Sequence, residues 1–235
     1  MGLNEDLIKN TAATFVTPIT SRVGRVVPET KDIALQGDAV TLDAAVLYAD
    51  MVESTHLVSA GYDKQFPPKV FKAYLDCACR IIRDNAGVIT AFDGDRVMAV
   101  FIDESRLAGA VKSAMQIHWA VLNIINPLIA DPKYFNWSGT PYQLQQVVGI
   151  DAGKLLIART GIRGSNDLVW VGKAANFAAK LCSLRESIPT WISQAVYDGM
   201  PSETRLRSDN KQNMWAWTTK YGETVYQTKT PWTIT

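Results

Sequence analysis

The feature that most constrains this chain is a four-residue interruption, Asp93-Gly94-Asp95-Arg96. It separates two apolar runs, Val88-Ile89-Thr90-Ala91-Phe92 and Val97-Met98-Ala99-Val100-Phe101. Asp-Gly between such runs is a strong short-range signal for a tight β-hairpin. A hairpin this apolar is not stable alone in water and needs other elements packed over it. Its neighbours supply them. Upstream, Pro67-Pro68 suits the first turn of a helix. Val70, Phe71, Tyr74, Leu75, Ala78, Ile81 and Ile82 follow at helical spacing, and Asn85 and Gly87 predict the stop. Downstream, Leu107, Ala110, Val111, Ala114, Ile117, Val121, Leu122 and Ile125 line one side of a second long helix, ended or kinked at Asn126-Pro127.

The remaining segments extend this unit. Residues 42–49 read as a buried strand. Residues 146–150 and 155–158 suggest a hairpin turning at Asp151-Ala152-Gly153. A short strand over 168–171 precedes a helix over 173–184, and residues 214–217 and 224–227 suggest a last hairpin through Tyr221-Gly222. The expected class is α+β: a ferredoxin-like, mainly antiparallel sheet with helices on one face. No linker or internal repeat divides the chain. Residues 1–40 have weak periodicity and are expected to form an N-terminal arm with a short helix, leaving 41–235 as one domain.

Charge and composition exclude several classes. Lys plus Arg number 24 against 23 Asp plus Glu, so the basic excess of a dedicated nucleic-acid binder is missing. No pair of aromatic strands carries interleaved basic residues, which argues against an RNA-binding module on the same fold. The first residues lack the basic start and apolar run of a signal peptide, and no segment approaches a membrane span of about 20 apolar residues. The expectation is a cytoplasmic protein with neither nucleic acid nor membrane as partner. Cys77, Cys79 and Cys182 do not form a disulfide framework and read as packing thiols.

Two carboxylates carry the candidate chemistry. Asp50 closes the first strand, and Asp95 sits in the tight hairpin. Acids at the end of a buried strand and in a neighbouring turn can converge. Mg²⁺ takes one or two carboxylates and leaves its other positions to water and phosphate oxygens. Each acid also has an ordinary reading, as a strand cap or a turn residue. Ser54-Thr55 stand just before a helix, where free backbone N–H groups suit a triphosphate, although both are also common caps. Asn176 and Lys180 lie four residues apart on one helix face. They can orient a ribose and offset phosphoryl charge, or remain a solvated amide and cation.

At these residues the chain resembles the catalytic domain of class III adenylate/guanylate cyclases, over roughly residues 42–230. Tyr48-Ala49-Asp50-Met51-Val52-Glu53-Ser54-Thr55 is similar to the family's first metal motif, and Phe92-Asp93-Gly94-Asp95-Arg96-Val97 to its second. Val148-Gly149-Ile150-Asp151-Ala152-Gly153 resembles its Gly-Ile-x-x-Gly segment, and Gly172-Lys173-Ala174-Ala175-Asn176-Phe177-Ala178-Ala179-Lys180 its Gly-x-x-x-Asn-x-x-x-Arg helix. The resemblance implies a homodimer with two Mg²⁺ or Mn²⁺ ions per site on Asp50 and Asp95, helped by the Met51 carbonyl. Asn176 and Lys180 would come from the other subunit. Lys180 stands where the family has an arginine, keeping the charge but losing the fork.

The departures concern the base. Where adenylate cyclases have a base-reading lysine the chain has Ala91, and where they have an aspartate it has Val169. Neither side chain can donate or accept. The pattern is similar to the bacterial pyrimidine cyclases of the Pycsar anti-phage system, which implies a second messenger read by a separate effector protein. Tyr48 shares Asp50's strand face; it can meet a base or simply occupy the core. Arg96 can donate to a pyrimidine carbonyl or a phosphate, or remain an exposed turn cation, and Lys220 is a candidate for the γ-phosphate. Donors at Tyr48 and Arg96 favour UTP over CTP. A purine cyclase with other readers and an inactive nucleotide-binding module are the alternatives.

Overall fold

The computed structural model describes residues 2–234. The chain runs through α1 (Leu3–Val16), β1 (Thr20–Val23), β2 (Asp38–Met51), α2 (Ser54–Ser59), α3 (Phe66–Asp84), β3 (Val88–Asp93), β4 (Arg96–Phe101) and α4 (Arg106–Ala120). A π-helical segment, Val121–Ile125, joins α4 to α5 (Asn126–Ala130). There follow β5 (Gln146–Ile162), β6 (Ser165–Val171), α6 (Lys173–Cys182), β7 (Thr190–Ser193), α7 (Gln194–Gly199), α8 (Ser202–Arg205), β8 (Ala216–Lys220) and β9 (Glu223–Thr228).

Among the described residues, nine strands form one sheet in the order β3-β4-β2-β5-β7-β9-β8, with β1 also on β2 and β6 also on β5. Only the β1–β2 and β5–β7 pairings are parallel. The expected α+β class and mainly antiparallel sheet are present. The Asp-Gly-Asp hairpin forms as its sequence dictates: Asp93 pairs with Arg96 across a two-residue turn, and Gly94 takes φ +63°. A positive φ at the first turn position is why glycine stands there.

β2 is the spine of the sheet, and its alternation divides the core. Ala45, Leu47, Ala49 and Met51 face α3 and α4. Leu42, Ala44 and Val46 face the other way, against Ala174, Ala175 and Ala178 of α6. The two long helices thus share one face, as expected, while α6 occupies the opposite one. It approaches closely because the sheet offers Gly149 there: a Cβ on Gly149 would lie 2.3 Å from the Ala178 carbonyl oxygen and 2.4 Å from the Cys182 amide nitrogen.

Other expectations are corrected. The hairpin expected at Asp151-Ala152-Gly153 does not exist. β5 is one 17-residue strand, and those three residues pair with Val46, Ala45 and Ala44 inside it. Long β2 opposite supplies partners along the whole segment, so no turn is needed, and the chain reverses later, between Ile162 and Ser165. At Asn126-Pro127, where the sequence predicts an end or a kink, the helix is interrupted without ending: the π-helical segment precedes the proline and helix resumes to Ala130. The missing proline N–H is accommodated within the widened turn. The arm is more structured than a short helix. α1 spans 14 residues, none of them buried, and β1 joins the sheet beside residues 38–41, so β2 straddles the expected boundary at residue 41.

Candidate active site

Strand alternation and the hairpin bring the sequence candidates to one end of the sheet. Asp50 lies near the end of β2, on the α6 face, 9% exposed. Burial, reinforced by the charge of Asp95, pushes its carboxyl up to about 6; Arg185, Arg96 and a hydrogen bond from the Met51 backbone oppose the shift. Asp95 is half-buried in the hairpin turn, and its Oδ2 is buried with no hydrogen-bond partner. Asp95 therefore sits close enough to disfavour the ionisation of Asp50. Met51 directs its side chain into the core.

Around the pair stand Arg96 and Tyr48. The Arg96 guanidinium carbon lies 5.5 Å from the centroid of the Tyr48 ring, and Arg96 donates to Asp93 at 2.7 Å. Arg96 is thus held over Tyr48 rather than loose in solvent. Burial raises the Tyr48 hydroxyl above its ordinary pKa in spite of Arg96, so Tyr48 is a neutral donor. Ala91 sits in β3 opposite Met98, and Val169 in β6 opposite Ala158; both present only hydrocarbon. Ser54 and Thr55 are the first two residues of α2, entered through Glu53 in the left-handed region at φ 58°.

Two sets of candidates do not join the acids within one chain. Asn176 and Lys180 are exposed on α6, and among the described residues no hydrogen bond or ion pair links them to Asp50 or Asp95. The Lys180 Nζ lies 5.7 Å from the Tyr221 ring centroid. Lys220 is engaged already, by Glu186 and by the face of Trp191 at 5.4 Å.

Arg185 escaped sequence reasoning. It lies three residues beyond α6, in Ser183-Leu184-Arg185-Glu186-Ser187, where no motif or periodicity marks it. Its Nη2 is 3.7 Å from Oδ2 of Asp50. A half-exposed guanidinium against a buried carboxylate places positive charge where a cation is wanted.

The donor set suits a divalent ion. Among the described residues no group of three or more His, Cys, Asp or Glu side chains is arranged to hold a metal. The pair Asp50 and Asp95, with its unpartnered buried oxygen, is the sparse carboxylate set that Mg²⁺ accepts while keeping positions for water and phosphate.

Comparison with solved structures defines the class. The fold aligns with the guanylyl cyclase Cya2 at a TM-score of 0.63 and 16% identity, covering 80% of this chain and 91% of that one. It aligns with the adenylyl cyclase CyaB from P. aeruginosa at 0.61 and 19%, covering 80% and 94%. This is the class III cyclase fold. No protein-family model matches the chain. Its sequence is 41% identical over 238 residues to the uridylate cyclase of Xanthomonas perforans, covering the whole of both chains. It is 44% identical over 218 residues to the uridylate cyclase of Burkholderia cepacia, covering 92% and 91%. The chain belongs to the uridylate cyclase family and is a nucleotidyl cyclase. Among the described residues no helix is long and apolar enough to cross a membrane.

Proposed function

We propose that this enzyme converts UTP to 3′,5′-cyclic UMP and pyrophosphate, with Asp50 and Asp95 holding two Mg²⁺ or Mn²⁺ ions at the interface of a two-fold homodimer. The observation that carries the proposal is the acid pair: buried Asp50 is pushed up to about 6 partly by half-buried Asp95, whose Oδ2 has no partner. Two acids kept this close without a shared proton donor are accounted for by a cation between them. The ions, when bound, supply Lewis-acid charge to the ribose 3′-hydroxyl and the triphosphate.

The chain's own groups do the rest. Asp50 and Asp95 fix where the phosphates lie. Asn176 orients the ribose and Lys180 offsets the charge that builds as the 3′-oxygen attacks the α-phosphorus and pyrophosphate leaves. The exposure of both on α6, without contact to their own chain's acids, supports their acting on the partner's site. Arg185 faces the phosphates from the same chain as the acids. Arg96, held over Tyr48, donates to a uracil carbonyl; cytosine presents an amino group where uracil has its 4-carbonyl, and two donors would then face each other. The family match to uridylate cyclases supports the same base. The product then serves as a second messenger in anti-phage defence, read by a separate effector protein, and the enzyme works in the cytoplasm.

Incubation with each of the four triphosphates and Mn²⁺, with products identified by mass, tests the base: cyclic UMP should dominate, and a preference for ATP, GTP or CTP overturns the assignment. Subunit mixing tests the geometry. Asp50→Ala and Asn176→Ala chains should each be inactive, and an equal mixture should regain about a quarter of wild-type activity, since half the dimers hold one intact site. A mixture with no activity refutes the shared site.

A further inference from the structure

α6 ends at Cys182 and β7 begins at Thr190. Between them, Leu184 and Ile188 pack against the buried cluster that holds Val147, Phe177 and Trp191. Arg185, Glu186 and Ser187 are exposed, so they form a short strap pinned at both ends. A cavity of about 200 Å³ borders residues 186–189, so the strap is not packed solid on that side. Its two charged residues take different partners. The Arg185 Nη2 lies 3.7 Å from Oδ2 of Asp50. Glu186 accepts a hydrogen bond from the Lys220 ammonium.

Those partners belong to the two halves of the candidate site. Asp50 is one of the acids. Lys220 stands in the β8–β9 hairpin, which lies on α6: the Tyr221 hydroxyl donates to the Lys180 carbonyl at 3.3 Å, and Lys173 donates to Glu223 at 2.7 Å. Arg185 thus brings a cation to an acid that would hold metal. Glu186 brings a carboxylate to Lys220, the candidate for the γ-phosphate. The Arg185 contact is loose. A charge-assisted N–H···O bond closes to about 2.7–2.9 Å, and this one stays at 3.7 Å. Asp95 keeps an Oδ2 without a partner. One guanidinium therefore serves only one of the two acids, and a divalent ion suits the pair better.

We propose that Arg185-Glu186 is a charge latch: before either ligand arrives, Arg185 stands in for metal at Asp50 and Glu186 for phosphate at Lys220, and the ligands free the strap by taking those places. The proposal rests on the reading of Asp50 and Asp95 as cation ligands. The two contacts come from adjacent residues, so they are linked. While Lys220 holds Glu186, Arg185 has less freedom to lose in meeting Asp50. Once Glu186 is released, fixing the long arginine side chain costs more rotamer entropy. Phosphate at Lys220 therefore eases metal entry at Asp50, and metal at Asp50 eases phosphate entry at Lys220 by the same factor. Arg185, once freed, is available to the phosphates.

Mn²⁺ binding to the full chain without nucleotide, read from the electron paramagnetic resonance signal of the free ion, tests it. Arg185→Gln should bind Mn²⁺ about two- to fivefold more tightly than the wild type. Glu186→Gln is the decisive variant. Coulomb's law alone predicts weaker binding, because an acid near the site is lost. The latch predicts tighter binding, by about twofold or more, because Arg185 is loosened. In an Arg185→Gln background the same change should no longer tighten binding, since no latch is left. Both positions are exposed and glutamine is accommodated at either, so the variants keep the fold. Weaker or unchanged binding in Glu186→Gln overturns the proposal, as does equal tightening in both backgrounds. Asp50→Asn should not bind Mn²⁺. If it binds as the wild type does, the cation-site reading fails and the latch with it. Lost binding in Asp50→Asn with no tightening in Glu186→Gln ends the latch alone.

Discussion

Removing the buried charge of Asp50 should stabilise the metal-free protein while destroying its response to metal. The Asp50 carboxyl is displaced from 3.8 to about 6, roughly two units, and each unit corresponds to about 1.4 kcal/mol. The shift is upward, so the folded chain holds the proton more tightly than the unfolded one. Between about pH 4 and pH 6 the unfolded carboxyl is ionised and the folded one is not, and stability falls as pH rises through that window. Above about pH 6 the full penalty, about 3 kcal/mol, is present. Asp50→Asn removes it with little change of shape. For a chain of this length, 1 kcal/mol moves Tm by roughly 2–4 °C, so the variant should melt about 6–12 °C higher at pH 8 in chelator. At pH 4 the two proteins should converge. Mn²⁺ should raise the Tm of the wild type and leave that of Asp50→Asn nearly unchanged. Equal wild-type and variant melting at pH 8 in chelator, or equal stabilisation of both by Mn²⁺, would refute the reasoning.

Three further outcomes follow from the packing and the site. Gly149→Ala drives a Cβ into the backbone of α6, 2.3 Å from the Ala178 carbonyl; urea denaturation should show a loss of about 1–3 kcal/mol, and turnover should fall because α6 carries Asn176 and Lys180. Tyr74→Phe deletes a fully buried hydroxyl that has no hydrogen-bond partner and keeps the ring; thermal denaturation should show unchanged or higher stability, by up to about 1–3 kcal/mol. Arg96→Leu removes the charged donor held over Tyr48; kcat/KM for UTP should fall about 10–100-fold and the preference over CTP should narrow, as competition between the two triphosphates would reveal.

The chain's local order was legible wherever one short segment decides its own conformation. Asp93-Gly94-Asp95-Arg96 turns because glycine permits the backbone the turn needs, and α3 forms because Pro67 and Pro68 start it and its apolar residues recur at helical spacing. The closing β8–β9 turn at Tyr221-Gly222 is of the same kind, both residues having positive φ, 53° and 78°. The metal-site candidates were legible too, since each belongs to a short motif. The chain's membership of the cyclase family stands on its identity to the uridylate cyclases along nearly its whole length.

What the sequence left open depends on partners distant along the chain. Asp151-Ala152-Gly153 has turn-like composition, but β2 lies opposite and its backbone groups make the segment a strand. Arg185 belongs to no motif and gains its meaning from Asp50, 135 positions earlier. The convergence of Asp50 and Asp95, and with it the raised pKa, exists only once β2 and β4 are paired. Sequence by itself determined the Asp93–Arg96 and Tyr221-Gly222 turns, the long helices and the chemical types available. Tertiary structure decided which of them meet, because electrostatic and packing energies depend on separation in space, and the chain's covalent order does not set that separation.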